Sequence, residues 1–172
     1  GHEPEDYLLF FGRVHPDKGV YESIQIAKRS KRRLIISGII QDQEYFEQKV
    51  KPYINDIDII YVGNSGPDKR NKLLGGACAL LHPISFDEPF GLSVVEAMFC
   101  GTPVIAFNRG AMPELILDGK TGFLANTVRE AVEAVKNINL IDREYCREWA
   151  NSKFSRQKMI EGYLDVYEKT LS

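Results

Sequence analysis

An open parallel sheet with helices on both faces, the doubly wound α/β class, is the fold this sequence predicts. Three observations carry the prediction. Apolar runs of strand length alternate with segments long enough for crossover helices. The runs are continuous rather than alternating, as strands buried on both faces must be. Gly or Pro bounds most of them. The first strand is the run Tyr7–Phe11, stopped by Gly12, and the first helix covers 18–30. Leu34-Ile-Ile36 with Ile39 forms the second strand, and 42–54 the second helix. Ile57–Val62 is the third strand. Pro67 then opens a helix to about Leu74, because proline presets φ and lacks only an N–H that would be unpaired there. Ala77–Leu81 is the fourth strand, and Gly91–Cys100 carries a helix closed by Gly101 and Pro103. Val104–Phe107 is the fifth strand, and a short apolar piece at Gly122–Ala125 adds a sixth. Thr127-x-x-Glu130 is a capping box for a helix whose Val128, Ala131, Val132 and Val135 recur at helical spacing. Two further helical stretches start from Asp142 and from Ser155. Strand–helix alternation of this kind makes the strands parallel and the crossovers right-handed.

Composition narrows the function classes. The 172 residues fit one domain, 1–172, in which Gly1-His2 has the look of an expression-tag remnant. Hydrophobic residues at 44% and charged residues at 27% are ordinary for a soluble globular protein. Lys+Arg 22 against Asp+Glu 24 leaves a net charge of -2, which removes the main electrostatic argument for nucleic acid as a partner. No apolar run approaches the ~18 residues of a membrane helix, and the N-terminus does not read as a signal peptide. Cys78, Cys100 and Cys146 are odd in number, widely spaced and set among apolar neighbours, the pattern of reduced thiols in a cytoplasmic protein. The three histidines share no metal-ligand spacing. Asp56-Ile-Asp58 has the form of a metal-binding DxD but precedes its strand, so it is read as chance.

Doubly wound sheets bind ligands outside the carboxyl ends of their strands. After the first strand come Gly12 and Arg13, then Lys18: two cations beside a glycine turn suit a diphosphate, and equally suit a solvated loop. The turn is neither GxGxxG nor a Walker A loop. His82 ends a strand before Pro83, with a turn histidine as the plainer alternative. Asp87 and Glu88 then precede Phe90-Gly91, which opens a helix. A helix N-terminus offers unpaired N–H groups and a partial positive charge to an anion, and glycine at 91 allows close ligand approach. Glu88 either contacts a ligand or complements the helix dipole. Glu96, within Val94-Val95-Glu96-Ala97-Met98, is a ligand contact, an exposed position or a satisfied ion pair.

Together these segments resemble a known family. Glu88-x7-Glu96, inside Phe86-Asp-Glu-Pro-Phe-Gly-Leu-Ser-Val-Val-Glu-Ala-Met98, is similar to the acidic motif of the family 4 (group 1) glycosyltransferases, retaining enzymes of the GT-B fold. The resemblance continues in Gly101-Thr-Pro-Val-Ile-Ala106, in Pro113-Glu114, in Leu117-Asp-Gly-Lys-Thr-Gly-Phe-Leu124, and back to Phe11-Gly-Arg13 with Asp17-Lys18-Gly19. It covers almost the whole chain. Asn108-Arg109-Gly110 departs from the family, which commonly has Gly-Gly there.

The resemblance implies a Rossmann-like, doubly wound parallel sheet, the C-terminal half of a GT-B fold. The first half, which would hold the acceptor, is then expected upstream, as a partner domain of the same enzyme. The implied activity is transfer of a hexosyl unit from a nucleoside-diphosphate sugar, such as a UDP- or GDP-sugar, to a hydroxyl acceptor. Retention is explained in the family by front-face attack assisted by the leaving phosphate. Catalytic assignments follow for Arg13 and Lys18 on the donor diphosphate, beside Gly12, and for Glu88 on the hydroxyls of the transferred sugar. Phe90, Gly91 and Leu92 would hold phosphate and sugar oxygens through their backbone, Glu96 the ribose hydroxyls, and Val62, Gly63 and Ile84 would flank the base. No cofactor or metal is expected, because two cations and a helix N-terminus supply the charge that a departing diphosphate needs. Peripheral membrane contact of a full-length enzyme stays open. So do a nucleotide-sugar epimerase, a phosphorylase-like GT-B domain and a non-catalytic nucleotide-binding module. A phosphoacceptor signalling domain is disfavoured, since the third strand ends in Tyr61-Val62-Gly63 without an aspartate.

Overall fold

The computed structural model describes residues 4–84 and 91–154. Six parallel strands form one sheet: β1 (Tyr7–Phe11), β2 (Arg33–Ser37), β3 (Ile59–Tyr61), β4 (Ala79–His82), β5 (Val104–Phe107) and β6 (Gly122–Ala125). Their spatial order is β3-β2-β1-β4-β5-β6. The crossover helices are α1 (Val20–Ser30), α2 (Gln43–Tyr45), α3 (Pro67–Gly76), α4 (Leu92–Phe99) and the short α5 (Met112–Leu115). After β6 come α6 (Val128–Lys136) and α7 (Arg143–Lys153). The expected α/β class is the fold observed.

Alternation along each strand divides the core into two layers. Leu8, Phe10, Leu34, Ile36, Leu81 and Ile105 face α1 and α6, meeting Ile24, Ala27, Ala131 and Val135. Tyr7, Leu9, Leu80, Val104 and Ala106 face the other side and meet Leu74, Val94, Met98 and Ala150 of α3, α4 and α7. Strand residues Leu8, Leu9, Leu34, Ile36, Leu80 and Val104 are each 0% exposed, which is why their runs carry no polar residue.

Several boundaries differ from expectation for identifiable reasons. The second helix keeps α-geometry only over Gln43–Tyr45, continues as a π-turn over Phe46–Val50 and ends in a 3-10 turn at Lys51–Tyr53. Pro52 lacks the N–H that a regular helix would need at that point. Ile39 is not part of β2: the strand stops at Ser37, and Ile39 is 56% exposed. The third strand is trimmed to Ile59–Tyr61, because Asn55 folds the preceding segment by accepting the N–H groups of Ile57, Asp58 and Ile59 at 2.8–3.0 Å. That turn accounts for the Asp56/Asp58 pair. The capping box forms: Thr127 Oγ1 accepts the Glu130 N–H at 3.1 Å, and Glu130 Oε2 accepts the Asn126 N–H at 3.2 Å. Asp142 caps α7. The helix expected from Ser155 lies outside the described residues. Among the described residues, no helix is long and apolar enough to cross a membrane.

Candidate functional site

The strand order reverses between β1 and β4, so the chain leaves these neighbours towards opposite faces of the sheet and a crevice opens at their carboxyl ends. A cavity of about 360 Å³ lies there. Its wall is built first from the loops after β1 and β2. Gly38 packs so tightly on the chain after β1 that a Cβ would stand 1.6 Å from the Gly12 carbonyl oxygen. Pairing resumes beyond this crossing: Gly12 N–H donates to Ser37 O at 3.0 Å and Val14 N–H to Ile39 O at 2.9 Å. Arg13 is held between these two anchored residues and lines the cavity with its side chain exposed.

A single 3-10 turn, Pro16–Lys18, delivers the second cation. His15 shapes it, accepting the Asp17 N–H on Nδ1 at 3.1 Å and the Lys18 N–H on its carbonyl at 3.0 Å. Gly19 follows at φ 85, where a Cβ would meet Pro83 O at 2.5 Å. The loop carrying Arg13 and Lys18 is therefore seated directly against the loop after β4.

On the β4 side the expected strand end holds, and the turn-histidine alternative is not realised. His82 is the last residue of β4, pairs in register with Ala106, and is 7% exposed in the cavity wall. Ile84, 5% exposed, lines the same wall. Glu88 and Phe90 lie outside the described residues. Leu92 and Ser93 of α4 line the cavity, and the N-cap residue of this helix, Gly91, brings no capping side chain. Glycine at 91 also has a packing role. Its φ is -101, and a Cβ there would meet Leu115 Cδ1 and Met112 Cε at 2.7 Å. The missing side chain makes room for Met112 and Leu115 of α5.

Glu96 is one helical turn beyond Leu92, on the same face. Its carboxylate is gripped by Arg70, with Nε to Oε2 at 2.7 Å and Nη2 to Oε1 at 3.0 Å. The guanidinium lies 4.1 Å over the Phe11 ring, and both Arg70 and Phe11 line the cavity. The ion-pair alternative for Glu96 is thus realised, at the edge of the candidate site. Val62 and Gly63 end the third strand segment. Gly63 O accepts the Gly38 N–H and the Ser37 hydroxyl, each at 3.0 Å, and it is the next residue, Asn64, that reaches the cavity. Tyr61 donates to Gly38 O at 2.6 Å, and burial raises its pKa, so it stays a donor.

Sequence reasoning missed Arg70 and Ile39 as cavity residues, whereas Asn64 directly follows the third strand, at the edge where ligands are expected. Arg70 had a signal. It stands in the first turn of α3, where the helix dipole disfavours a cation.

Known proteins resemble this chain in sequence and in fold. Residues 2–156 match the family described as glycosyl transferases group 1. The lipopolysaccharide 1,2-N-acetylglucosaminetransferase of Salmonella typhimurium is 30% identical over 83% of this chain and 41% of its own length. The crystal structure of AviGT4, a glycosyltransferase involved in avilamycin A biosynthesis, superposes with a TM-score of 0.77 at 28% identity, over 98% of this chain and 52% of that one. Anabaena HepE, crystallised in complex with UDP-glucose, has the same fold, with a TM-score of 0.76 at 19% identity over 95% of this chain and 48% of that one. The chain spans less than half the length of the first curated relatives it matches, at 46%, 41% and 44%.

Proposed function

Since this chain belongs to the group 1 glycosyl transferases, we propose that its switch-point cavity binds the nucleoside diphosphate of a sugar donor. In this reading the chain is the donor-binding half of a two-domain retaining enzyme that moves a hexosyl unit to a hydroxyl acceptor. The observation that carries it is the convergence of Arg13, Lys18, Arg70 and the first turn of α4, through Leu92 and Ser93, on one cavity. A departing nucleoside diphosphate develops negative charge, and preorganised cations and helix amides stabilise it without reorganising during the reaction.

Arg13 and Lys18 take the diphosphate over Gly12, and the backbone at Phe90, Gly91 and Leu92 holds phosphate and sugar oxygens. Glu96 takes the ribose hydroxyls and Glu88 those of the transferred sugar. Val62, Gly63 and Ile84 frame the base. These cations supply the charge that a divalent ion would otherwise bring, so binding needs no metal or cofactor. The acceptor belongs to a second domain, in keeping with relatives about twice this length. The proposed setting is the cytoplasm, with all three cysteines as free thiols.

Calorimetric titration of the chain with UDP, GDP and ADP, with EDTA and then with magnesium, tests the reading. At least one diphosphate is expected to bind in EDTA and to weaken as salt rises, since the site is open to solvent. Arg13→Ala and Lys18→Ala should each cost roughly tenfold or more, the scale of a charge-assisted hydrogen bond. Glu88→Ala should remove only the affinity that a sugar adds to the diphosphate. Binding that strictly requires magnesium, or no binding by any of the three, would overturn the proposal.

A further inference from the structure

Three elements meet beside the cavity: the end of β1 through Phe11 and the first turn of α3 through Arg70, both in its wall, and the second turn of α4 through Glu96, which Arg70 holds. The Phe11 ring forms a floor, with the guanidinium 4.1 Å above it. A stack of this kind restrains the plane of the fork. The fork makes two N–H···O bonds to the two carboxylate oxygens, at 2.7 and 3.0 Å. Two such bonds fix the tilt of a carboxylate as well as its place, whereas a lysine would act as a point charge. The pair is partly shielded, with side chains 30% and 19% exposed. Arg70 stands against the α3 dipole, and Glu96 offsets that cost.

We infer that Arg70 is the positioning residue for Glu96: its fork holds the carboxylate in the orientation from which it receives the ribose hydroxyls of the nucleotide. The inference rests on the assignment of Glu96 to the ribose in the proposed function. It predicts that Arg70 acts on ribose recognition rather than on overall affinity.

The test titrates UDP, GDP and ADP, each beside its 2′,3′-dideoxy counterpart, against the wild type, Glu96→Gln, Arg70→Met and Arg70→Lys. Methionine keeps an apolar stem over Phe11, and lysine keeps the charge without the fork. A melting curve for each protein confirms folding. The wild type should prefer the ribonucleotide about tenfold or more, and Glu96→Gln should lose that preference. Arg70→Met should lose most of it while dideoxynucleotide affinity changes less than about twofold, and Arg70→Lys should fall between. Equal losses for both sugar forms in the Arg70 variants would show that Arg70 serves the diphosphate or the fold, overturning the inference while the proposed function stands. An unchanged preference in those variants would overturn it too. No ribose preference in the wild type would remove the Glu96 assignment and the inference together. No binding of any nucleotide would refute the proposed function itself.

Discussion

Gly38 shows how one residue can decide whether this site exists. It lets the loops after β1 and β2 touch, and that contact places Arg13 between two anchored residues. A methyl group at 38 would stand 1.6 Å from Gly12 O, a backbone atom that cannot swing aside. Gly38→Ala is therefore expected to lower stability by at least about 1–3 kcal/mol and to abolish nucleotide binding, as read from urea unfolding and titration. The same change at Gly75 is the control. It lies within α3, where a Cβ would meet nothing within 4 Å, so Gly75→Ala should stabilise by about 0.5 kcal/mol through helix propensity. Legibility at this scale was uneven. Arg13 and Lys18 could be read because they follow a recognisable strand directly. Arg70 could not be placed, because its partner Glu96 is 26 residues away and only the fold joins them.

At the scale of elements, α3 is held at both ends by side chains from distant parts of the chain. Its first turn is tied to α4 through Arg70. At its other end, Tyr7 donates to Leu73 O at 2.7 Å and the Thr102 hydroxyl to Leu74 O. Arg143 donates to Gly75 O and Ala77 O at 2.9 Å and to Thr102 Oγ1 at 3.0 Å. These bonds satisfy carbonyls that a helix C-terminus leaves unpaired. Arg143→Ala should cost about 2–3 kcal/mol in a chemical unfolding curve, and Arg143→Lys should recover part of it. This network gives a physical reading to two of the family-like segments. Gly101-Thr102-Pro103 lies at the amino edge of the sheet, away from the cavity, and secures α3. Asp118 and Thr121 fold the turn before β6 by accepting the Leu124 and Leu117 N–H groups at 3.0 Å. The resemblance located both segments in the sequence, but their work as folding devices could be seen only from their partners.

Across the whole molecule, burial of ionisable groups in both layers makes the fold sensitive to alkali. Burial pushes Tyr7 and Tyr45 up to about 12 and the Cys146 thiol to about 11. Above their ordinary values the unfolded chain releases these protons while the native protein retains them, so stability falls as pH rises. The loss should begin near pH 9 with Cys146 and grow through pH 12 with the tyrosines, each group contributing at most about 1.4 kcal/mol per pH unit. Urea midpoints at pH 8, 9.5 and 10.5 should decline in that order, and Cys146→Ala should flatten the earliest part of the decline. A midpoint independent of pH over this range would contradict it. The sequence by itself determined the order of strands and helices, the family, and the cations after β1. Continuous apolar runs, caps and turn residues act over a few positions and are written locally. Only the tertiary structure decided what occupies the crevice between β1 and β4. These strands are neighbours in the sheet although two strands and three helices separate them in the chain. The burial of His82, the packing of Gly91 against α5 and the grip of Arg70 on Glu96 all depend on that adjacency, because each is a contact between elements that local sequence cannot bring together.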